Sequence, residues 1–123
     1  MADVMLKRFD ELESYANGNQ FLYAGRGLGV TSFGVNVLKL PPNWGDYPDH
    51  DHAREGQEEV YVVLQGSARL TAGGEGWDLA PGMLVRVGAR QKRKIVPGPA
   101  GVTILALGGT PGKAYEPPQR GKR

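Results

Sequence analysis

A chain of 123 residues, 40% of them apolar and 23% charged, builds one hydrophobic core and is too apolar to be wholly disordered. Its formal charge of +2 is too small to imply a nucleic-acid partner, and the absence of cysteine excludes disulfides, thiolate metal sites and cysteine nucleophiles. The longest apolar runs, VYVVL and VTILAL, fall far short of the roughly 20 residues that cross a bilayer, and the acidic residues in MADVMLKRFDELES occupy the place of a leader's apolar stretch, so a cytoplasmic protein away from membranes is expected.

In chain order, Met5, Phe9, Leu12 and Ala16 recur at helical spacing, with Asn17 and Gly18 placed to end the turn, which predicts a short N-terminal helix or arm covering the rest. From there the pattern changes. Nineteen glycines and nine prolines punctuate short β-branched and aliphatic runs, predicting strands at 20–24, 30–40, 57–65, 67–72, 76–80, 83–87, 92–96 and 102–108. GGE after the fourth run is a hairpin signal, and Pro81-Gly82 supplies the next turn. The order is a β meander with no alternation of strand and helix, and eight strands suffice to close a barrel. GRGLG at 25–29 lacks the strand-to-helix setting of a phosphate loop, and there is no Gly-x-Ser-x-Gly elbow. The basic run ARQKRK and the tail QRGKR read as a solvated strand edge and a flexible terminus.

The run EEVYVVLQ places Glu59, Tyr61 and Val63 on one face and Val60, Val62 and Leu64 on the other. Both faces are apolar, yet a small barrel has only one interior. The outward face therefore needs a cover, either the N-terminal arm or a second copy, and a homodimer is expected.

LPPNWGDYPDHDHAREGQEEVYVVLQG contains the only two histidines, His50 and His52, preceded by Gly45 and followed by Glu59 and, after six more residues, Gly66. This stretch resembles the first motif of the cupin superfamily, and PGMLVRVGARQKRKIVPG stands where the second motif is due, with Gly82 opening it. The resemblance, to a small single-domain conserved-barrel cupin, covers roughly residues 28–108. It implies an all-β jelly-roll barrel, with residues 1–27 as an N-terminal arm and 109–123 as a C-terminal extension. It also implies a divalent metal such as Fe, Mn, Zn or Ni on His50, His52 and Glu59, and a small-molecule ligand.

The chain departs from the family at one ligand. The family's second motif contributes a further histidine, and that position here is Arg93, while the motif's usual proline is Gly88. A guanidinium stays protonated and has no lone pair for a metal. On an extended segment His50 and His52 point the same way, and with Glu59 they make a two-histidine, one-carboxylate set with open positions. An extended KRKIV turns Arg93 inward with Gln91 and Ile95, where a buried guanidinium needs a partner, and Glu59 is the candidate. Two functions follow. Both use a pocket in which Tyr61, Gln91 and Arg93 join the histidines and Glu59 in contacting the ligand. One is a metal-dependent oxygenase or isomerase acting on a small polar or anionic compound, with Arg93 orienting a substrate carboxylate. The other is a metal-free binding module in which an Arg93–Glu59 ion pair replaces the metal and organises the pocket. A polar surface loop for HDH and a barrel-mouth position for Arg93 are the unremarkable alternatives, and Trp44 and Tyr47 read as core filling.

Overall fold

In the computed structural model, residues 2–15 and 20–116 are described. They form seven strands: β1 (Ser14–Tyr15), β2 (Phe21–Leu22), β3 (Gly34–Leu40), β4 (Glu58–Ala72), β5 (Glu75–Leu79), β6 (Leu84–Val87) and β7 (Lys94–Gly109), with one short helix, α1 (Ala24–Leu28), between β2 and β3. All pairings are antiparallel, in the order β1-β2-β3-β7-β4-β5, and β6 pairs with the first part of β4. The sheet curls around one core made of Phe21, Leu38, Leu40, Tyr61, Val63, Leu70, Leu79, Ile95 and Ile104 together with their neighbours.

β4 and β7 each fuse two of the expected strands, 57–65 with 67–72 and 92–96 with 102–108. The joints are glycines facing each other across the pair: Gly66 and Gly101 both adopt positive φ, and a Cβ on Gly66 would overlap the Gly101 carbonyl. A bulge at Leu64 and a four-residue excursion of β7 (98–101) opposite Ser67 bend the ladder without ending it, so the strands turn a corner where the sequence suggests a break. The Gly73-Gly74 hairpin and the Gly82 turn form as expected, all three glycines at positive φ.

The N-terminal expectation fails in its detail. Phe9–Glu11 makes a single 3₁₀ turn and Ser14–Tyr15 continues as a strand on β2, so Met5, Phe9 and Leu12 do not share a helix; Ala16, Asn17 and Gly18 lie outside the described residues. A lone amphipathic helix this short needs packing on its whole apolar face, and only Leu12 finds it, against Leu22, Ala24, Val35, Val37 and Leu105. The run at 20–24 likewise splits into β2 and the start of α1, and the run at 30–40 begins pairing only at Gly34.

The alternation along β4 matches the expectation: Glu59, Tyr61 and Val63 are buried, Val60 and Val62 half-buried, Leu64 exposed. On the outer face, Val37, Leu105, Val62 and Leu84 form one row across β3, β7, β4 and β6. The N-terminal segment covers the Val37 end, whereas Leu84 at the other end is 70% exposed. Among the described residues no helix is long and apolar enough to cross a membrane.

Candidate metal centre

Three separate pieces of chain meet at one end of the core. The first is the loop 50–52, which docks like a strand onto the segment preceding β7: His50 N–H donates to Arg93 O (3.0 Å), Arg93 N–H returns to His50 O (2.9 Å), and His52 N–H donates to Ala89 O (2.8 Å). Directly opposed residues of an antiparallel bridge share a face, so His50 and Arg93 project together, and period-two alternation brings His52 to the same side. Asp49 and Asp51 face solvent, and Asp51 turns its carboxylate to the Ala53 N–H (3.0 Å). The second piece is β4, whose inward residues Glu59 and Tyr61 are held between β6 and β7. The third is Arg93 itself.

Arg93 has a fully enclosed side chain. Its Nη2 donates to Glu59 Oε1 (2.8 Å), its Nε to the Tyr61 hydroxyl (3.3 Å) and its Nη1 to the Gln91 carbonyl (2.7 Å). Tyr61 in turn donates to Glu59 Oε1 (2.7 Å). The ion pair inferred from sequence is therefore formed. Gln91 contributes only its backbone: its side chain is exposed and donates to the Lys92 carbonyl (3.0 Å). A turn from Gly88 to Gln91 (N···O 3.1 Å) interrupts the extended stretch, so the alternation that places Gln91 beside Arg93 holds from Arg93 onward and not before it.

The histidines complete the cluster. His50 Nε2 lies 3.9 Å and His52 Nε2 3.3 Å from the same Glu59 Oε1, and one donor atom from each of the three residues falls within 4.8 Å of the others. Both Nε2 atoms are buried without a hydrogen-bond partner. Both Nδ1 atoms are engaged: His50 Nδ1 with the Pro48 carbonyl (3.1 Å), His52 Nδ1 with the Glu55 carboxylate (2.9 Å). A carbonyl and a carboxylate only accept, so each Nδ1 carries the proton and each Nε2 of a neutral ring keeps its lone pair, which is how outer partners orient metal-binding imidazoles. Tyr47, buried, packs edge-on against the His50 ring at 5.7 Å between centroids, and the two imidazoles pack edge-on at 5.1 Å. Reading Tyr47 as core filling is correct but incomplete. Glu55 was legible only as a carboxylate three residues after His52, and Pro48 not at all, since it acts through its backbone.

Electrostatics bind the group together. Burial alone would push the Glu59 carboxyl up, but the imidazoles, in the form that carries a proton on Nε2, and the Tyr61 hydroxyl hold it well below the usual carboxylate range. Burial pulls His52 down, and the adjacent Glu59, with Glu55, more than reverses this, so its pKa is raised above 6.5. Burial and the negative Glu59 raise the Tyr61 phenol, which stays protonated and able to donate. Arg93 keeps its charge: burial opposes it, and Tyr61 and Glu59 outweigh burial.

A His-x-His pair and a glutamate gathered at one end of an antiparallel barrel are the arrangement of the cupin fold, and the sequence agrees. The cupin domain model matches residues 36–105. The chain belongs to the cupin family. Solved cupins superpose over most of its length: a cupin protein from Bacteroides fragilis (21% identity, 91% of this chain and 95% of the other, TM-score 0.67) and a sugar phosphate isomerase of the cupin superfamily from Silicibacter pomeroyi (22%, 82% and 73%, 0.68). KdgF from a Halomonas species is a more distant match (15%, 80% and 86%, 0.59). No curated protein matches the sequence significantly. The family assignment and the all-β barrel expected from the motif residues therefore hold, and this cupin carries Arg93 where the family's second-motif histidine is due.

Proposed function

We propose that this cupin is a metal-dependent protein acting on a small polar or anionic compound, with His50 Nε2, His52 Nε2 and the Glu59 carboxylate holding a divalent metal such as Fe, Mn, Zn or Ni. The observation that carries this reading is the pair of buried Nε2 atoms, both without a partner and both oriented by an acceptor on Nδ1. A buried polar atom left unpaired costs free energy, and two aimed at one carboxylate form a nitrogen and oxygen donor set suited to such ions. A metal bound there would supply Lewis acidity or redox chemistry toward a substrate oxygen, chemistry that suits an isomerase or an oxygenase. The same architecture accommodates a sugar phosphate isomerase in Silicibacter pomeroyi.

The chain's own residues have distinct parts in this reading. His50 and His52 are fixed donors. Glu59 is a carboxylate whose position Tyr61 and Arg93 determine. Arg93, with its side chain enclosed, does not reach out to a ligand; it neutralises Glu59 in place. The experiment is metal analysis and calorimetric metal titration of the purified protein beside His50→Ala and Glu59→Ala. Near-stoichiometric uptake lost in both variants is expected, and unchanged uptake in both rejects the site.

A second reading rests on the 2.8 Å contact between Arg93 and Glu59. In it the ion pair stands in for the metal, and the barrel end is a binding module that takes a polar ligand on the free imidazole nitrogens. No metal uptake after reconstitution, with a large stability loss for Glu59→Ala and little for His50→Ala, selects it. Either reading treats the half-open row Val62–Leu84 as the face on which two copies pair. Sedimentation of the wild type beside Leu84→Glu checks this, a dimer turned monomer being the expected outcome.

A further inference from the structure

We infer that Arg93 makes metal occupancy of this site conditional on an anionic second ligand, so that the substrate or its reacting form is a small anion such as a carboxylate or enolate. The inference rests on the metal reading above and deepens it. Glu59 Oε1, the oxygen nearest both imidazoles, already accepts two hydrogen bonds, from Tyr61 (2.7 Å) and from Arg93 Nη2 (2.8 Å). Those two donors use the lone pairs of that oxygen, and a cation at the histidines competes with them for it. Arg93 cannot yield by losing its proton, since a guanidinium stays charged. Nor is it free to swing into water: its side chain is fully enclosed, and Nε and Nη1 are tied to Tyr61 and the Gln91 carbonyl.

The charge balance follows from those contacts. Glu59 and Arg93 cancel, and the two imidazoles are neutral when they act as ligands. Glu55, on the outer side of His52, is the further carboxylate in contact, and its side chain is 54% exposed, where water weakens its influence. A bare divalent cation therefore enters a cluster whose one carboxylate is already neutralised by Arg93, in an enclosed setting where charges interact strongly. A histidine in place of Arg93 would add a neutral ligand; Arg93 adds an opposing charge and no ligand. An anion in one of the open positions cancels part of the excess, and by linkage metal and anion then raise each other's affinity by the same factor. A neutral donor offers no such compensation.

The test titrates Co²⁺ into metal-free protein, followed by visible absorption and calorimetry, with azide as the anionic probe and imidazole as the neutral one. Azide is expected to tighten Co²⁺ binding by the wild type at least tenfold, and imidazole by clearly less. Arg93→Met is expected to bind Co²⁺ without azide at least tenfold more tightly than the wild type, with most of the azide effect gone, while Arg93→Lys, which keeps the charge, retains it. Equal Co²⁺ affinity with and without azide, or an Arg93→Met protein that binds no more tightly than the wild type, overturns the coupling and leaves the metal reading standing. Failure of wild type and Arg93→Met to bind Co²⁺ at any azide concentration removes both. Should Arg93→Met not fold, the wild-type contrast between azide and imidazole decides the matter alone.

Discussion

The two ends of the barrel interior are built on the same strands and obey different rules. β4 carries Glu59 and Tyr61 into the polar end and Val63 and Leu70 into the apolar one; the chain entering β7 places Arg93 in the first and Ile95, two residues later, in the second. Apolar contacts are non-directional and graded, so the Ile95 end depends on volume. The Arg93 end depends on pairing. Arg93, Glu59 and Tyr61 satisfy one another there, and removing either charge leaves the other buried with no counterpart. The largest expected effect therefore lies at the polar end. Glu59→Leu, which strips the carboxylate from an enclosed guanidinium, is expected to cost about 3–5 kcal/mol in urea unfolding, as for other broken buried pairs. A loss below about 1 kcal/mol would show that the pair behaves like an exposed one and that the contrast between the ends is mistaken.

Ile95→Ala sets the scale for the apolar end. Ile95 is wholly buried, and a deletion of this kind costs about 2–5 kcal/mol according to how far the surroundings close the cavity. What separates the two ends is reversibility by a second change. Adding Arg93→Met to Glu59→Leu removes the stranded charge and fills the space with apolar volume, so the double variant is expected to return to within about 1–2 kcal/mol of the wild type or to exceed it. No single partner substitution offers Ile95→Ala a comparable rescue. A double variant as unstable as Glu59→Leu alone would mean that shape, not charge, is what the pair supplies.

The same contrast explains how far the sequence could be read. Alternation along EEVYVVLQ reports which side chains enter the barrel, because burial of one face is a property of the strand itself. That was enough to bring Glu59 and Tyr61 inside and, with the His-x-His spacing and the second-motif position, to pair Arg93 with Glu59. Turn chemistry at Gly73-Gly74 and Gly82 was local and legible for the same reason. What escaped depends on contacts distant in sequence. Gly66 and Gly101 read as punctuation singly; only when they face each other do they become a corner that keeps β4 and β7 continuous. Gln91 shares a nominal face with Arg93 but sits in a turn that the docking of residues 50–52 helps define. The N-terminal periodicity around Met5, Phe9 and Leu12 was real in pattern, but a periodic pattern becomes a helix only where a surface takes up the whole apolar stripe.

The smallest expected effect is the most diagnostic of which state the polar end occupies. In the metal-free protein the raised pKa of His52 means that its protonated ring is better accommodated folded than unfolded, so its contribution to stability is complete below pH 6.5 and disappears as pH climbs through the raised value. Glu59 acts in the opposite sense: its depressed pKa contributes stability above 4.5 that is lost as pH falls toward the folded value. The urea midpoint of metal-free protein should therefore be highest between pH 4.5 and 6.5 and decline on both sides, with His52→Gln flattening the alkaline limb and, because His52 helps hold Glu59 down, shortening the acid limb as well. A metal requires the same Nε2 unprotonated, so in its presence the alkaline limb should reverse and stability should rise with pH through the histidine range. An alkaline decline that persists in His52→Gln would assign that limb to another group. A decline of the same size with and without metal would show that proton and metal do not compete for this nitrogen, and His52 would then belong to the ion-paired core and not to a metal centre.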